Sequence, residues 1–330
     1  MMEQKKIVIF GGGTGTSFVL KGLKYFPVDI TAVITVSDSG SSTGRLRKEF
    51  STPAVGDIRK VLSNLSTLPD EIRDVMEYRL SIPGNDLDGH AMGNLVLTSL
   101  LKETGSLKTS IEYLSKLLDV KHKVLPLSED YLTLMGETVD GEIIEGEDTI
   151  TKARKKYKRF FYKENPHVLP EVFKQIANAD LIILSMGSLY TSVLPHLLCK
   201  DVVEAINKSK AKKMYICNAM TQPGETDDFG VSDHVNFLEG YLGKDTIDSV
   251  IVSTTEIPEE LLKKYETEEQ KNLVKVDYEN MKNAKYEVIE SDLLTTVDGT
   301  IKHNSLKLSS IIFFYLMNKN ENEHKKNYLF

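Results

Sequence analysis

Short apolar runs rich in β-branched residues alternate along this chain with segments of helical periodicity. Nearly continuous apolar character is typical of buried strands, and it occurs at 6–10, 30–36, 181–185, 213–218 and 249–252. Helical periodicity occurs at 16–25, 57–65, 71–80, 91–103, 106–118, 170–177, 202–209, 233–240, 259–265 and 306–318. This alternation predicts an α/β fold with a doubly wound, mostly parallel sheet.

Residues from about 121 to 165 interrupt the alternation. The stretch KVLPLSEDYLTLMGETVDGEIIEGEDTI alternates polar and apolar residues around an Asp140–Gly141 turn, which predicts a small antiparallel excursion. We interpret the basic run KARKKYKRFFYK that follows as a solvated face. The 330 residues are otherwise predicted to form a single nucleotide-binding domain carrying this inserted segment.

Charge and cysteine content exclude several classes of protein. The net charge of −7 leaves no basic excess to neutralise the phosphates of a nucleic acid. Cys199 and Cys217 lie in apolar stretches without metal-ligand spacing, as expected in a reducing compartment. The N-terminus resembles no signal peptide, and the apolar runs are too short to cross a bilayer. We therefore expect a cytoplasmic protein that binds neither nucleic acid nor membrane.

The first predicted strand leads directly into a glycine-rich turn, Gly11-Gly12-Gly13-Thr14-Gly15. Backbone N–H groups at such a turn point to one spot, with the positive end of the following helix dipole behind them. Glycine would allow a phosphate to approach closely and would permit positive φ. The turn therefore predicts an anion-binding site, although a tight turn packed for its own sake has the same pattern.

The turn lacks the P-loop motif and the complete dinucleotide motif, which limits the phosphate ligands that it could bind. No lysine follows the glycines as a P-loop requires, which argues against ATP hydrolysis of that type. The dinucleotide fingerprint fails as well, because its third glycine position is Thr16 or Phe18. Asp38 nevertheless follows the second strand, where a ribose contact is expected, so NAD binding remains a weakened alternative.

The stretch SDSGSSTGRLR, residues 37–47, offers a second set of phosphate ligands. Its candidates are the backbone and hydroxyl groups of Ser41, Ser42 and Gly44 and the guanidinium of Arg45 or Arg47. Asp38 could instead hold Mg²⁺, which commonly takes one or two carboxylates together with substrate phosphates. A serine cap followed by two solvated arginines is the alternative for this stretch.

Further polar groups follow other predicted strands or begin helices. The candidates are Asp57, Arg59, His90, Asn94, Gly187, Ser188, Asn218, Thr221, Gln222, Glu225 and Asp227, with Tyr265 as a base-stacking residue and Lys302 as a phosphate ligand. Asp57 also suits a helix cap, and a single histidine is more often structural than catalytic. Since ligands of open α/β sheets lie outside the carboxyl ends of the strands, we expect one large polar cleft. No catalytic triad spacing or metal-ligand cluster stands out, which favours the binding of a nucleotide-like ligand.

In this order, GGGTG, SDSGSSTGRLR, VGDIRKVL, GHAMGNL, GSLYTS and NAMTQPGETD resemble the gluconeogenesis-factor family, over residues 5 to about 310. These cytoplasmic bacterial proteins are related to 2-phospho-L-lactate transferase. The resemblance implies a Rossmann-like fold with a nucleotide cleft. The transferase branch moves a phospholactyl group from a guanosine-diphospho donor to a deazaflavin alcohol with Mg²⁺. The gluconeogenesis-factor branch is tied to cell shape and gluconeogenic growth and is thought to bind UDP-sugars without an established reaction.

The resemblance also implies roles for individual residues. Gly12 to Gly15 would contact a diphosphate, and Asp38 and the loop 41–45 would lie against phosphate or metal. Five polar residues, with His90 and Asn94, would face the sugar or acceptor: Asn218, Thr221, Gln222, Glu225 and Asp227. The family commonly has a second acid where this chain has Ser39, which weakens a Mg²⁺ site, and a proline where this chain has Met186.

These observations lead to three hypotheses. We favour a regulatory UDP-sugar-binding protein required for normal cell shape, without catalysis. The alternative is a Mg²⁺-dependent transferase acting on a nucleoside-diphosphate-linked donor, with Asp38 on the metal. An NAD-dependent oxidoreductase is a distant third, and homo-oligomerisation is left open.

Overall fold

The strands form one large parallel sheet and two small antiparallel ones. A computed structural model describes residues 4–297 and 300–318. Its strands are β1 (Lys5–Gly11), β2 (Val28–Ile34), β3 (Lys123–Pro126), β4 (Leu134–Thr138), β5 (Ile143–Glu145), β6 (Tyr157–Tyr162), β7 (Leu181–Leu184), β8 (Lys212–Ile216), β9 (Ser249–Ser253), β10 (Glu287–Ser291), β11 (Leu294–Val297) and β12 (Thr300–His303). The seven-stranded sheet has the order β10-β9-β8-β7-β1-β2-β3 and every neighbouring pair is parallel. This is the Rossmann-like arrangement, with its topological switch point between β1 and β7.

Helices cover both faces of the large sheet. They are α1 (Thr14–Leu23), α2 (Ser41–Phe50), α3 (Gly56–Leu65), α4 (Asp70–Glu77), α5 (Met92–Thr104), α6 (Leu107–Leu117), α7 (Glu147–Ala153), α8 (Pro170–Asn178), α9 (Leu194–Leu197), α10 (Lys200–Lys208), α11 (Val231–Leu242), α12 (Glu259–Lys264), α13 (Tyr278–Met281) and α14 (Ser305–Asn318). Two π-helical turns, Leu189–Val193 and Tyr265–Glu269, adjoin α9 and α12. No helix among the described residues is long and apolar enough to cross a membrane.

The alternating side chains of β1 divide the core into two layers. Ile7 and Ile9 pack into the layer that contains residues of α1, α3, α5, α6 and α14. Val8 and Phe10 pack into the layer that contains residues of α8 to α11. Because both faces of β1 are buried, its sequence is apolar without interruption, as expected of a central parallel strand.

The five predicted strands and ten predicted helices are confirmed, with small shifts of their ends. The structure adds β3 and β10 at the two edges of the large sheet and α2 over part of the predicted phosphate-binding stretch. The antiparallel excursion is confirmed as the sheet β5-β4-β6, but its predicted start at residue 121 was wrong. Lys123 to Pro126 belong to the large sheet, whose edge strand is too short to show a clear pattern.

The basic run around β6 is paired across the small sheet. Lys158 and Arg159 both contact the Glu137 carboxylate on β4, and Lys163 contacts Glu145 on β5 at 2.9 Å. Opposite charges facing each other across neighbouring strands stabilise such a sheet modestly. This agrees with the interpretation of the run as a solvated face.

Candidate functional site

A cleft lies at the switch point, outside the carboxyl ends of β1, β7 and β8. It has a volume of about 670 Å³, and its lining includes Gly13, Thr14, Gly15, Asp38, Asp57, Lys60, Glu147, Gly187, Ser188, Asn218, Thr221, Gln222, Tyr265 and Lys271. The structure thus brings together residues from distant predicted loops at the edge where open α/β sheets bind ligands.

The glycine turn borders this cleft. Its positions require glycine mainly because other protein atoms pack where a Cβ would lie. A Cβ on Gly13 would lie 2.2 Å from Asp57 Oδ1, and one on Gly15 would lie 2.0 Å from the Met186 carbonyl oxygen. Gly11, Gly12, Gly13 and Gly15 all lack positive φ, so the expectation that the turn needs it was wrong. The close approach of Asp57 and Met186 explains why larger residues do not fit.

Three carboxyl groups meet at one end of the cleft: Asp38, Asp57 and Glu147. Burial, and then the charge of Asp57, raises the pKa of Asp38. Burial raises the pKa of Glu147 to about 7, and the Asp38 charge adds to this effect. Lys60 partly offsets the negative charge, because its Nζ lies 3.4 Å from Asp57 Oδ1 and 3.3 Å from Thr14 Oγ1.

Glu147 was missed by the sequence analysis because it comes from the inserted segment and follows no strand of the large sheet. It is the first residue of α7, and that helix is held against the loop after β2. The Asp148 N–H donates to Ser39 Oγ at 3.0 Å, and the Glu147 carboxylate accepts from the Ser39 N–H. Ser39, which stands where the resemblance leads one to expect an acid, thus anchors the helix that supplies a carboxylate.

The β7–β8 side of the cleft is held by an amide and a half-buried acid. The Asn218 side chain accepts from the Gly187 N–H at 2.8 Å and donates to the Gly187 carbonyl at 2.7 Å. Ser188 Oγ donates to Glu225 at 2.8 Å, and the Tyr190 N–H donates to the same carboxyl group at 3.2 Å. Burial raises the pKa of Glu225 to about 7, despite these donors.

The stability of the protein is expected to fall as pH rises from about 4.5 to about 7 in part because of Glu225. In this pH range the raised pKa keeps Glu225 protonated in the folded protein, whereas Glu225 ionises in the unfolded chain. Ionisation therefore stabilises the unfolded state relative to the folded state. Glu225→Gln should reduce the decline by up to about 3 kcal/mol. Urea unfolding at about pH 5 and pH 7.5 measures it, with the exposed Glu256→Gln as control. Glu147 also lowers the stability of the protein over this pH range, and the Glu225→Gln variant retains that contribution. If the free energy of unfolding falls equally with pH in the variant and in the wild type, the raised pKa of Glu225 is contradicted.

A second cavity of about 520 Å³ continues the cleft toward α7. Thr151, Thr191, Gln222, Glu269 and Lys271 line both cavities, and Arg154, Glu225 and Glu268 line only the second. Both cavities carry charges of both signs. Asp38, Asp57 and Glu147 line the first with Lys60, and Glu225, Glu268 and Glu269 line the second with Lys152, Arg154 and Lys271.

Comparison with known proteins is consistent with this architecture. Residues 7–294 match the family described as 2-phospho-L-lactate transferase CofD. The chain belongs to this family. It is 44% identical to the gluconeogenesis factor of Bacillus subtilis over 313 residues, which cover 94% of this chain and 98% of that protein. It is 42% identical to the gluconeogenesis factor of Halalkalibacterium halodurans over 312 residues, covering 94% and 96%.

A solved structure shows the same fold. The crystal structure of protein BH3568 from Bacillus halodurans superposes with a TM-score of 0.90 at 42% sequence identity, covering 94% of this chain and 100% of that one. The predicted family resemblance and Rossmann-like fold are therefore confirmed.

Four of the predicted ligand-binding residues form a buried network in this member of the CofD family. Asn94 Oδ1 accepts from Arg59 Nε at 2.9 Å, and Asn94 Nδ2 donates to Ser42 Oγ at 3.0 Å. Ser42 Oγ in turn lies 2.9 Å from His90 Nδ1, and Arg59 pairs with the Glu77 carboxylate. None of Ser42, Arg59, His90 and Asn94 lines the cleft. These groups satisfy one another, which connects α2, α3 and α5.

The remaining residues of the 41–45 stretch also lie outside the cleft lining. Ser41 and Gly44 belong to the first turn of α2, where Gly44 packs against the Ser39 backbone. The Arg45 guanidinium donates to the carbonyl groups of Asp86 and Asp88. The other candidate, Arg47, is buried, and its guanidinium donates to the carbonyl groups of Ser37 and Asp38 at 2.8 and 3.0 Å. Neither arginine lines the cleft, so the expectation that one of them clamps a phosphate there is not supported.

Tyr265 and the β11–β12 hairpin close the far wall. Tyr265 is buried, and its hydroxyl accepts from the Ile301 N–H at 3.0 Å. Ile301 and His303 line the cleft, whereas Lys302 between them does not, because alternate side chains of a strand point to opposite faces. Asp227 lies outside the main cleft, where its carboxylate accepts from the Gly224 N–H at 2.9 Å.

Proposed function

We propose that this protein binds a UDP-sugar or a related nucleotide in the cleft and acts as a regulatory protein in cell shape during gluconeogenic growth. The gluconeogenesis-factor names of its relatives support the link to gluconeogenic growth, and the role in cell shape is a proposal from the family resemblance. The observation that carries the binding role is the cleft itself. Its 670 Å³ volume suits a small-molecule ligand, and its lining converges at the strand ends, where nucleotides bind in such folds.

The polar lining supports a ligand with both a diphosphate and hydroxyl groups. The backbone of Gly13 to Gly15 and the N-terminus of α1 offer N–H groups to an anion. Asn218, Thr221 and Gln222 offer amide and hydroxyl groups to a sugar. We place the base toward Tyr265, whose ring stands at the opposite wall.

A diphosphate beside Asp38, Asp57 and Glu147 would be repelled unless a cation lay between them. Among the described residues no group of three or more His, Cys, Asp or Glu side chains is placed to hold a metal ion by itself. Mg²⁺ fits this donor set because it commonly uses one or two carboxylates, waters and substrate phosphates. We propose that Asp38 and Asp57 would hold it once the nucleotide supplies the remaining oxygens, and that its charge would neutralise the diphosphate.

Ligand-dependent stabilisation tests the proposal. Thermal unfolding is measured with UDP-N-acetylglucosamine, GDP and NAD, each with Mg²⁺ and with EDTA. A ligand that binds only the folded state adds about 2.7 kcal/mol at a hundred times its Kd. We expect a shift with UDP-N-acetylglucosamine and Mg²⁺ that exceeds the other shifts. No shift with UDP-N-acetylglucosamine would contradict the proposal, and a dominant shift with NAD would favour the oxidoreductase instead.

Asp38→Asn should change nucleotide affinity in opposite directions with and without metal. With Mg²⁺ the variant should bind UDP-N-acetylglucosamine at least about tenfold more weakly, because a metal ligand is lost. With EDTA it should bind more tightly than wild type, because a repelling charge is gone. Isothermal titration measures both, and Asp140→Asn at the exposed turn is the charge-matched control. Tighter binding under both conditions would rule out a metal at Asp38.

A transferase is the second candidate, and the match to the 2-phospho-L-lactate transferase family favours it. Such a reaction breaks the phosphoanhydride bond of the donor, joins the phosphoryl group to an acceptor hydroxyl, and releases a nucleoside monophosphate and the hydroxyl proton. Chromatography of nucleotides after incubation with donor, acceptor alcohol and Mg²⁺ detects it. Mg²⁺-dependent monophosphate release that Asp38→Asn abolishes would establish catalysis, and no release would favour binding alone.

A further inference from the structure

The edge strand β3 lies two strands from β1 in the large sheet and has its own groove, whose lining shares no residue with the nucleotide cleft. Within the described residues β3 itself pairs on one side only, with β2. Directly after β3 the edge is covered, because the Leu127 carbonyl accepts from the Leu169 N–H at 3.1 Å and Ser128 bridges Val168, so the open edge is limited to residues 123–126. The groove has a volume of about 430 Å³ and is lined by Lys123, Val124 and Leu125 of β3 together with residues of α6 and α8. An exposed edge of this kind is a template for another strand.

The backbone of β3 has hydrogen-bonding groups that point into this groove. The Leu127 N–H donates to the Ile34 carbonyl at 2.9 Å, so the N–H groups of residues 125 and 123 also point toward β2. By the same alternation, the N–H and C=O groups of Val124 point away from β2. Pro126 also occupies an outward position, where its missing N–H costs the sheet no hydrogen bond.

The two walls of the groove belong to opposite faces of the sheet. Ile111 of α6 packs into one core layer, whereas Val172 and Ile176 of α8 pack into the other. Lys108 on α6 forms an ion pair with Glu171 on α8, which bridges the two walls. The pair closes part of the groove, so an extended segment laid along β3 with a helix on each side would have to displace this ion pair or end beside it.

The charges around the groove define the chemistry of its occupant. Four lysines line it, Lys108, Lys116, Lys123 and Lys174, with two acids, Glu112 and Glu171. Glu171 is already paired with Lys108, whereas Lys116, Lys123 and Lys174 have no acidic partner at ion-pair distance within the described residues. Val120 is half-buried beside these charges, whereas the side chains of Ile111, Val124 and Leu125 are buried in the core layers.

We propose that the β3 edge is a docking site for an extended, acidic segment of a partner protein, which adds to the sheet as an eighth strand. Backbone hydrogen bonds to Val124 would provide affinity, and the unpaired lysines would select acidic side chains. A second copy of this chain fits poorly, because two-fold pairing of this edge would bring the same lysines together.

A designed peptide tests the site. The probe is a fluorescein-labelled peptide of about seven residues that alternates glutamate and valine. We expect it to bind in fluorescence anisotropy, and Lys116→Glu/Lys123→Glu to weaken that binding by at least about tenfold. Both lysines are exposed, so the double variant should fold normally. Lys244→Glu, at an exposed lysine elsewhere on the surface, should bind as wild type does.

Two further peptides separate strand addition from simple charge attraction. The same acidic peptide with consecutive N-methyl groups on its central amides keeps its charge but cannot pair with Val124, so its binding should fall by at least about tenfold. A lysine–valine peptide should not bind. Equal binding of the methylated peptide, or no binding of the parent peptide at about 1 mM, would overturn the proposal. Concentration-dependent dimerisation that Lys123→Glu abolishes would also overturn it, in favour of an interface between copies.

Discussion

Gly15→Ala is expected to lower the free energy of unfolding by about 3 kcal/mol. The new Cβ would lie 2.0 Å from the Met186 carbonyl oxygen and 2.8 Å from its carbonyl carbon. Both atoms belong to the backbone after β7, so no side-chain rotation relieves the clash. Either α1 or the segment that begins the β7 side of the cleft must move, and both border the proposed diphosphate position.

The matched control is Gly240→Ala within α11. No atom lies within 4 Å of the Cβ position there, and the backbone is helical. Alanine should therefore raise stability by about 0.5 to 1 kcal/mol through its higher helix propensity. Urea unfolding of both variants measures the two changes in the free energy of unfolding. A neutral Gly15→Ala would show that α1 does not pack against Met186 as described.

Asn94→Ala is expected to destabilise the protein by about 3 kcal/mol, because it leaves two buried partners unsatisfied. Arg59 Nε would lose its acceptor and Ser42 Oγ would lose a donor. Asn178→Ala, which removes one bond from an exposed side chain to the Lys174 carbonyl, should change stability by less than about 0.5 kcal/mol.

The same variant separates a structural role of Asn94 from a ligand-binding role. If Asn94 has only a structural role, Asn94→Ala melts at a lower temperature but is still stabilised by UDP-N-acetylglucosamine as the wild type is. A variant of unchanged stability that loses this ligand effect would instead support the contact with sugar expected from the sequence.

Some predicted site residues have positions that follow from the sequence, whereas the positions of others depend on tertiary packing. Gly13, Gly187, Ser188 and Asn218 immediately follow strands of the parallel sheet, so their place at the cleft follows from chain direction alone. Thr221 and Gln222, close behind β8, reach the cleft as well. A strand end is a local property, and all parallel strands end at the same edge.

Residues on helices were harder to place from the sequence. Ser42, which was expected in a phosphate-binding loop, lies on α2 and turns toward His90. Polar residues in a helix can face a ligand or a neighbouring helix, and the local sequence does not distinguish these two orientations. The packing of α2, α3 and α5 around Asn94 decides it, because each buried polar atom needs a partner.

The periodicity of the chain predicts the five inner strands of the large sheet, ten helices and the edge at which a ligand would bind. These follow from hydrophobic periodicity, which is a property of short segments. Which polar groups reach the cleft depends instead on long-range packing. It brought Glu147 from the inserted segment beside Asp38 and Asp57 and turned Arg59 into the interior. These contacts join residues far apart in the chain, so they form only when whole layers of helices and strands pack together.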